Sequence, residues 1–282
     1  MNKKVTIPDI QQAKTEGRKL VMVTAYDYPF GLLADQAGVD MVLVGDSLGM
    51  VVMGLDGTVA VTMEHMIHHI QAVVRGCKSP LVIGDMPFGS YNTSIRDAIC
   101  NADRLMKEGG CAAIKLEGGL HFAACVAAIV KAGIPVQGHI GLTPQTASAL
   151  GGFKMQGKDA AAARQIIEDA RSLESAGVFS IVLEAVPAPL GKLVSEAVAV
   201  PIIGIGAGPD VDGQVLVTHD MIGLFDRFVP KFVKQYAQTR TVILDAMKAY
   251  KKEVQEKVFP GPQHSFKMPQ ETLARLKKMV EE

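Results

Sequence analysis

Five short apolar runs in this chain are each followed at once by an ionisable side chain. Met41-Val42-Leu43-Val44-Gly45 runs into Asp46 and Ser47, and Leu81-Val82-Ile83-Gly84 runs into Asp85. Ala112-Ala113-Ile114 leads to Lys115-Leu116-Glu117, Val136-Gln137-Gly138 to His139, and Ser180-Ile181-Val182-Leu183 to Glu184. Taken singly, an Asp after a strand is usually a turn residue or a helix cap. Taken together, four carboxylates brought to one place repel each other strongly unless a cation sits among them. Oxygen ligands without Cys or paired His favour magnesium over zinc, and magnesium keeps positions for waters and substrate oxygens. Lys115 and Glu117 stand two apart on one strand, so they face one side while Leu116 faces the other. A cation beside an acid suits anchoring a substrate carboxylate next to a metal; the duller reading is a cross-strand ion pair.

Other chemistry-bearing residues carry weaker signals. His65, His68 and His69 fall on one helical stretch but lack an acidic partner and a strand-end position, so they read as helix-surface or interface residues. Gly204-Ile205-Gly206-Ala207-Gly208 follows a strand where barrels often bind phosphate on backbone N–H groups, yet close packing is the favoured reading. The four cysteines (Cys77, Cys100, Cys111, Cys125) form no Cys-x-x-Cys pair and read as free, buried thiols of a reducing compartment.

For the ionisable groups to share a rim, the apolar runs must be parallel strands ending on one side. Eight runs fit: Leu20–Ala25, Asp40–Val44, Leu81–Ile83, Ala112–Leu116, Ile134–Gln137, Phe179–Leu183, Val200–Ile205 and Gln214–Val217. Most are continuously apolar, as strands covered on both faces are. Helices are predicted between them, from Thr62 as N-cap to about Arg75, over Ser94–Lys107 and over Asp159–Ala176. This pattern favours a (β/α)8 barrel, which takes about 250 residues. A helix over Thr6–Glu16 would close its lower mouth. Phe232–Glu256 reads as a long helix, and Pro269–Glu282 as a short outer helix or frayed tail. The whole of 1–282 reads as one barrel domain, with strands over about 20–217 and a helical extension over about 231–282.

Composition narrows the function classes. The 29 basic and 29 acidic residues cancel, and 48% of the 282 residues are apolar. That balance argues against a dedicated nucleic-acid binder and against disorder. The N-terminus lacks the apolar core of a secretion signal, and no apolar run is long enough for a membrane span. A soluble, cytoplasmic protein is expected.

Several motifs, in order, resemble ketopantoate hydroxymethyltransferase. They are Asp46-Ser47-Leu48-Gly49, Gly84-Asp85-Met86-Pro87-Phe88, Lys115-Leu116-Glu117-Gly118-Gly119 and Gly138-His139-Ile140-Gly141-Leu142-Thr143-Pro144-Gln145. Gly204–Gly208, Asp212-Gly213-Gln214 with His219-Asp220, and Phe259-Pro260-Gly261-Pro262 before His264-Ser265-Phe266 complete the likeness, from about residue 4 to residue 266. The resemblance implies transfer of a hydroxymethyl group from 5,10-methylenetetrahydrofolate to 3-methyl-2-oxobutanoate, giving 2-dehydropantoate on the way to pantothenate and coenzyme A. It implies magnesium held by Asp46 and Asp85 and joined by Glu117, either directly or through a water. It implies that Asp46, Ser47, Asp85, Lys115 and His139 meet the oxo acid, that Glu184 accepts the proton, and that the chain assembles as a cytoplasmic homodecamer. Thr218 departs from the bulkier residue expected before His219, and the absence of Trp leaves the folate pocket unassigned.

Two rivals remain at this stage. A magnesium-dependent 2-oxo acid lyase or mutase of the phosphoenolpyruvate mutase and isocitrate lyase group shares the strand-end acids, but Cys100 and Cys111 do not fit the mobile-loop cysteine of its lyases. A non-catalytic phosphate- or nucleotide-binding barrel built on Gly204–Gly208 leaves the acids without a purpose.

Overall fold

Local sequence decides where the first element begins. The Thr6 hydroxyl accepts from the Asp9 backbone N–H while the Asp9 carboxylate accepts from the Thr6 backbone N–H, a reciprocal cap that starts α1 (Ile7–Thr15). The structure, a computed structural model, describes residues 3–149 and 151–281. Met1 and Asn2 of the N-terminal reading, and the Glu282 end of the expected tail, lie outside the described residues. After α1 come β1 (Leu20–Thr24), α2 (Tyr28–Ala37), β2 (Met41–Val44), the single turn α3 (Leu48–Val51), α4 (Met63–Gly76), β3 (Leu81–Asp85), α5 (Ile95–Arg104) and β4 (Ala113–Glu117). The chain continues through α6 (Ala123–Lys131), β5 (Val136–Gly141), α7 (Ala160–Ser175), β6 (Ser180–Glu184), α8 (Ala188–Ala197), β7 (Ile202–Ile205) and β8 (Gly213–Leu216). Last come α9 (Thr218–Met221), α10 (Thr239–Gln255) and α11 (Gln270–Glu281).

All eight strands are parallel, and β8 pairs back onto β1, so the sheet is the closed barrel the sequence pattern predicts. Alternate side chains of each strand enter two separate cores. Val42, Val82, Leu116, Ile181 and Leu183 pack outward under the helices, while Leu43, Ile83, Ala113, Val182 and Val215 fill the interior. Ile10 and Ala13 of α1 are buried in that interior cluster, so α1 plugs the lower mouth. Full burial of Ile10 is worth about 1.5–3 kcal/mol. With the lower mouth filled, the interior opens only toward the carboxyl ends of the strands.

Several boundaries differ from the sequence reading for physical reasons. β5 begins later than Ile134 and runs on through Gly138, His139 and Ile140, because Gly138 and His139 continue the ladder against β4 and β6. His139 therefore lies within a strand rather than after one. The Ser94–Lys107 helix becomes α5 followed by a π-helical turn over Leu105–Gly109. The long helix predicted from Phe232 starts at Thr239. The preceding backbone is bound to the turn after α9, with Tyr236 N–H donating to the Met221 carbonyl and Thr239 N–H to that of Ile222. Phe232 itself packs against the barrel interior. All four cysteines are free, but Cys100 is exposed rather than buried, because it lies on the outer face of α5. None of the residues of α10 or α11 is buried, and among the described residues no helix is long and apolar enough to cross a membrane.

Candidate active site

The strand register places acids and bases in adjacent pairs. Asp85 on β3 lies beside Lys115 on β4, and Glu117 on β4 beside His139 on β5. The same ladders set Glu184 at the end of β6 beside Gly141. Asp46, Asp85, Lys115, Glu117, His139 and Glu184 all line one cavity at the upper mouth. Lys115 and Glu117 point into it while Leu116 packs among the outer core, as their spacing requires. The structure thus brings together every residue singled out from the sequence, Ser47 included.

Each group has a defined neighbour. Lys115 Nζ lies 2.8 Å from Asp85 Oδ1, so the cross-strand ion pair exists. The other Asp85 oxygen accepts from the Asp46 backbone N–H at 3.1 Å. Gln145, in the 3-10 turn Pro144–Thr146 after β5, donates through Nε2 to Asp46 Oδ2 and to the Met86 carbonyl, both at 2.9 Å. Its backbone N–H donates to Glu117 Oε2 at 3.0 Å, and its Oε1 accepts from the Tyr91 hydroxyl at 2.6 Å. His139 stands between two acids, with Nδ1 3.4 Å from Glu117 Oε1 and Nε2 3.2 Å from Glu184 Oε2. The latter is an ion-pair approach rather than an aligned hydrogen bond. Ser47 Oγ and the Tyr26 hydroxyl are hydrogen-bonded at 2.8 Å.

Burial and this network set the charges. Burial, then the charges of Asp85 and Glu117, push the Asp46 carboxyl well above the usual range. Burial also raises Asp85, with Lys115 pulling it back. For Glu117 the upward push of burial is outweighed by His139, Lys115 and the Gln145 N–H, and the group stays below its ordinary value. Burial and the Lys115 charge press the His139 imidazole downward, but its bonds to Glu117 and Glu184 prevail and hold it at about 9. Lys115 is raised, its burial outweighed by Asp85, Glu117 and Asp46.

These observations test whether a divalent cation fits. Five carboxylates, Asp46, Asp85, Glu117, Glu184 and Asp220, line the cavity with only Lys115 and His139 as basic groups among them, so acids outnumber bases there. The excess of acids, and an Asp46 whose ionisation burial and the neighbouring Asp85 and Glu117 hold back, favour a cation nearby. Among the described residues no three of His, Cys, Asp or Glu close around one point. Both Glu117 oxygens are engaged, by His139 and the Gln145 N–H. The protein therefore fits an ion held by Asp46 and Asp85 that takes its other oxygens from substrate and water, which is how magnesium is usually bound.

Tyr91 and Gln145 escaped the sequence reading. Gln145 closed a motif that resembled the family but carried no assigned role; Tyr91 sits in the loop after β3, and no sequence signal marked it. The histidines of α4 are structural: His65 accepts from the Thr62 backbone N–H at the helix start, and His69 Nδ1 meets the Tyr26 carbonyl. The Gly204–Gly208 glycines serve close packing. A Cβ at Gly206 would lie 2.6 Å from the Phe232 ring, and one at Gly208 2.4 Å from Ala188.

A sequence model of the ketopantoate hydroxymethyltransferase family matches residues 4–262. The chain belongs to that family. Its relatives include the 3-methyl-2-oxobutanoate hydroxymethyltransferase of Heliobacterium modesticaldum, 58% identical over 271 residues, which are 96% of this chain and 98% of the relative. The protein of the same name from Moorella thermoacetica is 58% identical over 264 residues, covering 94% and 98%. Among solved structures, a phosphonopyruvate hydrolase superposes with a TM-score of 0.61 at 12% identity, covering 98% of this chain and 96% of that one. A 2,3-dimethylmalate lyase of the phosphoenolpyruvate mutase and isocitrate lyase superfamily gives 0.60 at 14% identity, covering 99% and 95%. At those identities the likeness to these two proteins is one of fold.

Proposed function

We propose that this chain transfers a hydroxymethyl group from 5,10-methylenetetrahydrofolate to 3-methyl-2-oxobutanoate, giving 2-dehydropantoate. The observation that carries this reading is the acid-lined mouth of the barrel in a member of this family. Asp46 and Asp85 would hold magnesium, with Glu117 beside them and linked through water. A dication there withdraws charge from the keto oxygen and so acidifies the adjacent C–H. Lys115, paired with Asp85, is placed to meet the substrate carboxylate, and Ser47, its hydroxyl oriented by Tyr26, is placed to hold the oxo acid. Leu43, Val182 and Val215 line the same cavity and offer the branched alkyl group an apolar wall that excludes water.

Glu184 accepts the C3 proton. It comes from β6, a different strand from the Asp85 of β3 and the Asp46 after β2, and while Oε2 faces His139 its Oε1 is left for proton transfer. His139, another group placed against the oxo acid, holds Glu184 in position through its ion-pair approach. The deprotonated C3 adds to the methylene carbon, and water completes the hydroxymethyl group as tetrahydrofolate leaves. Replacing Glu184→Gln should preserve oxo-acid binding and abolish exchange of the C3 proton with deuterated water; undiminished exchange would remove Glu184 from the role. Tetrahydrofolate release that depends on both magnesium and the oxo acid tests the whole reading and separates it from the lyase and mutase alternative.

The assembly is a cytoplasmic homo-oligomer, a decamer on the family resemblance. The outward apolar residues of α10, with Val242 69% and Met247 64% exposed, support association of copies.

A further inference from the structure

Two residues of the cavity wall, with no part in the chemistry above, each carry a buried polar atom without a partner. The atoms are Asp220 Oδ1 and Thr58 Oγ1. Asp220 sits on α9, directly after β8, and is only 7% exposed. Its position is set by its neighbours. The Thr218 N–H donates to Thr24 Oγ1, and the His219 ring packs 5.3 Å from that of Tyr26 and 5.2 Å from that of Phe30. A buried carboxylate oxygen without a donor is unfavourable to the fold, and where one survives in a cavity wall it is a preformed acceptor for something that binds.

The chemistry of the two co-substrates says which one it awaits. The oxo acid is an anion with only acceptor oxygens, so it cannot satisfy Asp220 and would be repelled by it. The folate donor carries, on its bicyclic ring, a ring-amide N–H beside an exocyclic amino group, a pair of donors matched to the two oxygens of a carboxylate. Flat apolar surface lies in the same cavity: Phe225, Phe228 and Phe232 follow Asp220 in sequence and line it, with Phe228 60% exposed at the rim. Asp46 and Asp220 line the same cavity. A ring bound at Asp220 therefore shares the cavity of the residues placed against the oxo acid.

We propose that Asp220 anchors the pterin ring of the one-carbon donor by accepting its ring-amide and amino N–H groups, with Phe228 against a ring face and Thr58 as a further polar contact. This inference rests on the folate reading given above and assigns the subsite that the sequence left open. A site built to hydrogen-bond a donor pair discriminates strongly against a ligand lacking it, because the buried acceptor is then left unpaired.

Calorimetry on the full-length protein with magnesium tests it, titrating tetrahydrofolate and 3-methyl-2-oxobutanoate separately. Asp220→Asn should weaken tetrahydrofolate about tenfold or more while leaving oxo-acid affinity within about twofold. Retained oxo-acid binding also reports that the variant is folded. A tetrahydrofolate analogue lacking the exocyclic amino group should bind the parent poorly and be no worse than tetrahydrofolate for the variant. Phe228→Ala, at an exposed position, should weaken tetrahydrofolate severalfold. Undiminished tetrahydrofolate affinity in Asp220→Asn would overturn the assignment of Asp220 alone. A parent protein that binds the oxo acid but not tetrahydrofolate would overturn the folate reading itself, and this subsite with it.

Discussion

Gln145 is the side chain on which the acid cluster hangs, and Gln145→Met measures what it contributes. Methionine keeps the length of the side chain and removes both of its polar ends. Three bonds are lost: donation to the buried Asp46 carboxylate at 2.9 Å, donation to the Met86 carbonyl at 2.9 Å, and acceptance from the Tyr91 hydroxyl at 2.6 Å. A bond to a charged group contributes about 1.5–3 kcal/mol and each neutral one about 1 kcal/mol. Gln145, Asp46, Met86 and Tyr91 are all buried, so water cannot replace what is lost. The methionine returns roughly 1 kcal/mol of apolar burial. The net expectation is a destabilisation of about 2.5–4 kcal/mol, seen as a fall of roughly 5–16 °C in the melting midpoint for a chain of this size. Gln145→Glu is the informative companion, because it keeps the acceptor for Tyr91 but sets another acid against an Asp46 already pushed well above the usual range. Both variants should also weaken magnesium, since nothing then orients Asp46. Thermal melts with and without magnesium, with a magnesium titration, give both readouts. A Gln145→Met protein melting within about 2 °C of the parent would show that the network does not hold the site together.

Further outcomes follow from the same geometry. Burial raises Asp220 from 3.8 to about 6 in the folded state, so the fold disfavours its charged form. That destabilisation is absent below the ordinary value, grows as pH rises from 3.8 to about 6, and is constant above. Asp220→Asn should therefore melt above the parent near pH 8, with an advantage that disappears as pH falls toward 4, as thermal melts across that range will show. Gly141 and Gly133 both have positive φ, +89° and +88°, but a Cβ at Gly141 would lie 2.3 Å from the Glu184 carbonyl oxygen while one at Gly133 meets nothing within 4 Å. Gly133→Ala should cost only the strain of the backbone, about 1–2 kcal/mol, whereas Gly141→Ala should cost more and depress C3-proton exchange; equal effects would refute the clash. Magnesium at about a hundred times its dissociation constant should stabilise the parent by about 2.7 kcal/mol, and Asp85→Asn should lose that increment in a thermal melt.

Much of the site was legible because a parallel strand advertises its end. A continuous apolar run followed by an ionisable residue marks both an element and the rim it reaches, and Asp46, Asp85, Lys115, Glu117 and Glu184 were found in that way. The run-and-stop signal was less exact for His139, because Gly138 and Ile140 carry the ladder past the place where apolar character seemed to end. Phe232 shows the opposite failure. Helical periodicity continued through residues whose backbone N–H groups had already been claimed by the turn after α9, and tertiary bonds prevailed over local pattern. Tyr91 and Gln145 were invisible for another reason: they are loop residues whose significance lies in what they touch across the barrel, and no spacing along the chain encodes that.

The register explains why a rim so rich in acids can fold at all. Asp85 pairs laterally with Lys115, and Glu117 with His139, so positive and negative side chains alternate from β3 to β5 instead of stacking like against like. Glu184 then meets the far edge of His139, which separates it from Glu117. Because side chains alternate with a period of two, a one-residue slip in either ladder would turn one member of each pair out toward the helices and leave the other buried alone. Breaking a buried pair in that way costs about 3–5 kcal/mol, so the charges that serve the chemistry also pin the ladders that position them. Only Asp46 lies beyond the ladder, after the end of β2, and it depends on Gln145 from across the barrel. Asp46, which has no lateral cation in the ladder, is thus an acid whose ionisation burial and its acidic neighbours hold back, and it stands where a bound dication would relieve that repulsion.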